Sequence, residues 1–381
     1  MKVLYCNPIF ASYRIPFYME LKRLFNNNFY VLYSEHRYEN DIRFQKLKND
    51  IPVKMGQHAI PFTNERFYYT KLICFSFTRG LIRTINKIKP NILITEGFGQ
   101  WTPFVIVYAI LKKIPVYISY ERTLHTEKNN LWIKTLHRKL TDRFVTGYLV
   151  NGSECKKYLQ SINIKENKIF IGGMNADSQG LKKSIIHTSE IEKQHLQQKL
   201  NLDSKGLRFL FTGMLIERKG LIYLLKVWDE HLTKYPHDHL IIVGTGDKLE
   251  EYRKAFTTPS IHFVGRVEYD QIGIYYNIAD VYIIPTLEDN WSLVVPEAMA
   301  CGLPIACSRY NGCHPELIDN QNGYVFDPLI PYSILQCLDY FHHKDLAKMG
   351  AHSIIKEVPF NAENSAKRVY DAIMKTTKKI K

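Results

Sequence analysis

The sequence predicts an α/β fold in two halves, each a doubly wound parallel sheet, and three observations carry that expectation. Short apolar runs rich in Val, Ile, Tyr and Phe alternate with helix-period stretches along most of the chain, the pattern of strand–helix–strand units. A polar, Gln/Lys/Ser-rich stretch before residue 206 lacks such runs and divides the alternation in two. The 381 residues suffice for two full cores rather than one. The expected layout is a first domain over 1–172, a connection over 173–206, a second domain over 207–358, and a C-terminal helix over 360–381 packing back on the first domain.

In the first half the expected strands are KVLYC, FYVLYS, NILITEG, PVYISY and GYLVNG, each a continuous apolar run suited to a sheet covered on both faces. Helices are expected near 15–25, 71–88, 100–112, 128–143 and 152–161. The second half offers LRFLFTG, LIIVGTG, IHFVG, DVYIIPT, LPIACS and GYVFD, each but the last followed by a helix. The tail AENSAKRVYDAIMKTTKKIK reads as a terminal helix.

A hydrophobic fraction of 45% with 23% charged residues excludes a disordered chain. The net charge of +14 favours an anionic partner, whether nucleotide, nucleic acid or anionic membrane surface. Without a nucleic-acid-binding motif, no nucleic-acid partner is expected. Seven cysteines without CxxC spacing fit a reducing, cytoplasmic setting, and zinc-type Cys/His spacing is absent. FVIVYAIL (104–111) ends at Lys112-Lys113, far short of the roughly 20 residues a membrane span needs. The basic stretches RGLIRTINKIK (79–89) and WIKTLHRKLTDR (132–143) read as solvated helix faces or as faces that rest on anionic lipid at the inner side of the plasma membrane.

Chemistry concentrates in LEDNWSLVVPEAMACGLPIACS (287–308), between two apolar runs. Pro296 has no N–H and clashes with the carbonyl four residues back, so its helix should begin no earlier than about Ser292. Gly302 ends it. The N–H groups of Ser292 to Val295 then point out at the carboxyl edge of a parallel sheet, where ligands bind and where a helix N-terminus attracts an anion. Glu288, Asp289 and Glu297 surround that place, so an anion bound there would be flanked by acids.

With FLFTGMLIERKGLIYLLKVW, LIIVGTGDKLEEYRKAF, IHFVGR and GYVFDP, this segment resembles the donor domain of glycosyltransferase family 4 over roughly 207–328. The resemblance implies the GT-B fold, two Rossmann-like doubly wound domains facing a cleft. It also implies a retaining transferase that uses a UDP- or GDP-sugar and no metal or other cofactor. On this reading Trp291, Ser292 and Leu293 hold the diphosphate, and Glu297, second acid of the E-x7-E motif, grips the ribose. The first acid, which contacts the donor sugar, falls on Asp289, one methylene shorter than the usual Glu, with Glu288 as the alternative. In GMLIERKG (213–220), Gly213 opens the phosphate loop and Lys219 matches the family cation. Met214 replaces the usual Arg, and Arg218 is the candidate substitute. Arg266 follows a strand whose loop borders the nucleotide base.

The first half resembles the family more loosely. Its usual Gly-rich loop is missing after the first strand, where Ser12 and Arg14 stand instead, Arg14 as a candidate phosphate contact. Glu96 and Gln100 are candidates for the acceptor side. In ISYERTLHTEKNN, either Glu121 or His125 takes the place of the family histidine near the transferred sugar. The acceptor is expected to be a carbohydrate or a lipid-linked carbohydrate. Lys/Ile/Asn usage points to bacterial surface polysaccharide or lipid-linked oligosaccharide synthesis. The alternatives are an epimerase or hydrolase of the same fold, and an inactive sugar-nucleotide-binding partner subunit.

Overall fold

The computed structural model describes residues 1–10, 12–35, 54–69, 74–78, 80–99, 101–172, 177–186 and 188–377. They form two compact units, Met1–Asn175 with Ala362–Lys381, and Ala176–Asn361. The first carries a seven-stranded parallel sheet. Its strands are β1 (Val3–Cys6), β2 (Phe29–Ser34), β3 (Ala59–Phe62), β6 (Ile92–Glu96), β7 (Val116–Tyr120), β8 (Gly147–Val150) and β9 (Ile169–Ile171). Their order is β3-β2-β1-β6-β7-β8-β9. β1 lies between β2 and β6, with Val3 opposite both Phe29 and Ile92. Burial of β1, β7 and β8 along their whole length explains their unbroken apolar runs.

Two apolar layers cover that sheet. One includes Trp101, Val105, Tyr158 and Leu159; the other includes Tyr18 and Leu21 of helix Ile15–Leu24, with Val369 and Ile373 of the C-terminal helix Ala362–Thr377. The second unit carries six parallel strands: β10 (Arg208–Thr212), β11 (His239–Val243), β12 (Ile261–Gly265), β13 (Val281–Ile284), β14 (Ile305–Ser308) and β15 (Gly323–Phe326). Their order is β12-β11-β10-β13-β14-β15. In both sheets the strand order reverses beside the first strand, at β1/β6 and at β10/β13, and open α/β sheets bind ligands at the carboxyl ends of such pairs.

Three expectations change. The helix expected over 71–88 is only Leu81–Ile88, because Gly80 sits at φ +90° and the preceding CFSFT pairs as β5 (Cys74–Thr78) antiparallel to β4 (Glu65–Tyr69). The stretch expected as a connection forms two helices, Ser178–Ile186 and Glu190–Lys199, within the second unit. A capping box at Ser189 and Glu192 starts the latter. β15 is followed by helices after all, Pro331–His342 and Leu346–Glu357. Among the described residues no helix is long and apolar enough to cross a membrane.

Candidate active site

The loops after β10 and β13 meet at the switch point of the second sheet. The Leu287 N–H donates to the Arg218 carbonyl at 2.8 Å, and the Thr286 hydroxyl donates to the same oxygen at 3.0 Å. Two glycines allow this closeness. Gly220 stands at φ +65°, and a Cβ there would come within 2.1 Å of the Pro285 carbonyl oxygen. A Cβ on Gly244 would come within 1.8 Å of the Gly213 carbonyl oxygen, so the VGTG turn is tied to the loop after β10 by packing.

The meeting of loops pairs Lys219 with Asp289. Lys219 Nζ lies 2.5 Å from Asp289 Oδ2, with both side chains 13% exposed. Arg218 is half-exposed, 3.9 Å from the same carboxylate, and donates to the Glu288 carbonyl at 3.3 Å. Burial raises the Asp289 pKa, but the charges of Lys219 and Arg218 outweigh it and hold the carboxyl below its ordinary value. The Asp289 Oδ1 atom also accepts the Trp291 N–H at 3.2 Å. Glu288 is half-buried, and among the described residues its carboxylate makes no ion pair; of the two candidate acids, Asp289 is the one in the cation cluster.

The helix after β13 is Val294–Ala300, with Leu293 at its N-cap, two residues later than the earliest start that Pro296 allows. The Ser292 N–H reaches Asn311 Oδ1 at 3.4 Å. Around this start, Asn290 Oδ1 and Asn311 Nδ2 are buried without hydrogen-bond partners. Such orphans are uncommon in a packed core. The Trp291 ring turns inward, 3% exposed, with its centroid 5.7 Å from that of Phe360.

Glu297 is 8% exposed on the same helix. Tyr269 and Tyr276 aim their hydroxyls at its two oxygens, each at 3.5 Å. Burial and the nearby Asp177 charge push its carboxyl up to about 8, while the two long tyrosine bonds offset part of that rise. Sequence reasoning missed all three neighbours. Asp177 lies 120 positions upstream, in a stretch read as a connection, and no local pattern links it to Glu297.

Arg266 is exposed and pairs with Glu268 at 3.2 Å. In the first unit, Arg14 is buried and its two terminal nitrogens grip both oxygens of Glu96 at 3.1 and 3.2 Å, with Tyr5 Oη 3.1 Å from Nη1. Two residues expected to serve separate ligands thus bind each other across the β1/β6 switch point. Gln100 and the side chain of Ser12 lie outside the description. After β7, Glu121 and His125 share one loop, whose Glu127 pairs with Arg138 at 2.7 Å. At the opposite, amino end of β11, His231, Asp238 and His342 bring three metal-capable atoms within 4.8 Å of one another, a cluster that no sequence spacing announces.

Comparison with known proteins places this geometry. Residues 206–339 match the family model for group 1 glycosyl transferases. Most of the second unit thus resembles a group 1 glycosyl transferase domain. Sulfoquinovosyl transferase of Arabidopsis thaliana is 23% identical over 78% of this chain, which spans 61% of the plant protein's length. The α-monoglucosyldiacylglycerol synthase of Acholeplasma laidlawii is 30% identical over 37% of this chain and 36% of that enzyme. The solved Anabaena protein Alr3699/HepE, in complex with UDP, superposes with a TM-score of 0.76 over 98% of this chain and all of its own, at 13% identity. The two sheets accordingly have the GT-B fold, and Lys219, Asp289 and Glu297 lie within the matched residues.

Proposed function

We propose that this chain is a retaining glycosyltransferase that takes a sugar from a UDP- or GDP-sugar and joins it to a hydroxyl of a carbohydrate or lipid-linked acceptor. One observation carries the reading: Lys219 paired with Asp289, and Glu297 eight residues on, held by one connection at the sheet's switch point. The donor diphosphate lies against Lys219, Arg218 and the N–H groups at the helix start, which supply its counter-charge; the reading takes no metal. Glu297 accepts from the ribose hydroxyls. Two hydroxyl donors at normal distance, replacing tyrosines at 3.5 Å, favour the carboxylate form.

Transfer breaks the bond between the sugar's anomeric carbon and the phosphate oxygen and forms one to the acceptor oxygen on the same face. The acceptor proton passes to the departing phosphate. Lys219 stabilises the charge that develops there, a contribution that in such sites reaches about 3–4 kcal/mol per donor. Asp289 aims Lys219 and reaches the sugar. The name of one relative, an α-monoglucosyldiacylglycerol synthase, is in keeping with a lipid-linked acceptor; bacterial envelope synthesis from the cytoplasm is part of the same proposal.

The test is calorimetric titration with UDP and GDP at pH 7 in two buffers of different ionisation enthalpy. Binding with release of a fraction of a proton is expected, because Glu297 passes from protonated to ionised. Binding without release, or no binding of either nucleotide, removes the ribose assignment.

A further inference from the structure

Helix Trp132–Asp142 is built inside out. The residue it buries is a charged one, Arg138. The guanidinium carbon of Arg138 sits 5.4 to 5.7 Å from the ring centroids of Phe98, Tyr120 and Tyr158, and its Nη1 meets Glu127 Oε2 at 2.7 Å. The apolar side chains face water instead: Trp132 is 72% exposed, Ile133 58%, Leu136 and Leu140 46% each, and the flanking Phe144 53%. At 3.6 residues per turn these five fall within an arc of roughly 120°, and Arg138 lies opposite its centre. An amphipathic helix of a globular protein turns such a stripe toward the core; this one anchors itself by its polar side and offers the stripe outward.

The charges around the stripe indicate what covers it. Lys139 and Arg143 project at one border and His137 at the other, all exposed. The one acid of the helix, Asp142, is spent on Lys168, 3.0 Å away. A second copy of this chain would bring a cationic rim against a cationic rim, with no free acid to meet it. A surface rich in anionic lipid headgroups satisfies both parts: acyl chains receive Trp132, Ile133, Leu136 and Leu140, and headgroups receive Lys139 and Arg143. We infer that helix Trp132–Asp142 is an interfacial docking element that seats this chain on an anionic bilayer. Trp132 enters first. Neither the donor chemistry nor its residues are involved, so docking is read with no sugar nucleotide present and its failure leaves the donor assignment untouched.

The chain supplies its own reporter. Of its four tryptophans, Trp101, Trp228 and Trp291 are 0 to 3% exposed, so a change in emission on binding belongs to Trp132. The full-length protein is mixed with vesicles of phosphatidylglycerol and phosphatidylcholine, or of phosphatidylcholine alone, and followed by emission and by co-sedimentation. A blue shift and sedimentation are expected with the anionic vesicles, weakening as salt rises. The double variant Leu136→Ser/Leu140→Ser should partition about tenfold less or worse. The variant Lys139→Glu/Arg143→Glu should lose the preference for anionic lipid, and Trp132→Phe should sediment while losing the shift. These side chains are exposed, so an unchanged melting temperature certifies the variants as folded. Absence of sedimentation with anionic vesicles, native-like partition of the Leu136/Leu140 variant, or a blue shift that grows with protein concentration without lipid overturns the inference, the last by making the stripe a contact between copies.

Discussion

Lys219→Met tests the site most directly, because Lys219 has two possible employments that separate in measurement. As the counter-ion of Asp289, it closes a contact of 2.5 Å between side chains only 13% exposed. Removing a charge-assisted hydrogen bond of this kind costs about 1.5–3 kcal/mol. For a unit of this size that lowers the melting temperature by roughly 3–12 °C. The sign with pH follows from the depressed Asp289 pKa. The pair's stabilisation is present above the unfolded carboxyl value and is lost as pH falls through the folded one. As the cation facing the leaving diphosphate, Lys219 contributes about 3–4 kcal/mol to the transition state, a fall in kcat of roughly 10²–10³-fold. The assay is nucleotide release from the bound sugar donor at saturation, beside a thermal melt. Lys219→Met/Asp289→Asn decides between the roles, since it removes both charges and should recover much of the lost stability without recovering the rate. A single variant within threefold of the native rate, or a double variant that regains the rate, would show that Lys219 only holds Asp289 in place.

Three other outcomes are expected. Glu297 has its folded pKa raised to about 8, above the unfolded value near 4.3, so native stability should decline as pH rises between them by up to about 1.4 kcal/mol per unit. In Glu297→Gln that slope should vanish while nucleotide binding is lost, and an unchanged slope in denaturant titrations across this range would contradict the buried-acid reading. Asp238→Ala leaves His231 and His342 facing a void where each now meets Asp238 Oδ2, at 2.8 and 2.7 Å, and should cost about 3–5 kcal/mol near neutrality. Burial raises the Asp238 pKa, but the histidine hydrogen bonds outweigh it, so the gap to native should narrow only below about pH 4, as acid unfolding curves will show. Gly220→Ala adds a Cβ 2.1 Å from the Pro285 oxygen at φ +65°, which should cost at least about 1–3 kcal/mol and reduce the donor-dependent rate with it; a melt within 1 °C of native would show that the loop yields freely.

The sequence by itself determined most of the sheet strands and the donor loop, while β3, β4, β5 and β9 went unread. Runs such as FLFT and VYII are buried on both faces, so their apolar character survives in one dimension. Pro296 and Gly302 bracket the helix because their backbone restrictions are local; Gly302 is indeed at φ +80°. What required tertiary structure is every relation between distant segments. The Asp289 carboxylate is set by Lys219, 70 positions away, Glu297 by Asp177 and two tyrosines, and Arg14 is bound to Glu96 where two strands far apart in sequence lie side by side. The helix at 132–142 makes the same point from the other direction. The sequence marked it only as a basic stretch, and the direction its apolar and polar faces point depends on the aromatic rings and Glu127 that receive Arg138, which come from other segments. Backbone preference is carried residue by residue along the chain, whereas charge, burial and orientation are properties of neighbourhoods that exist only after folding.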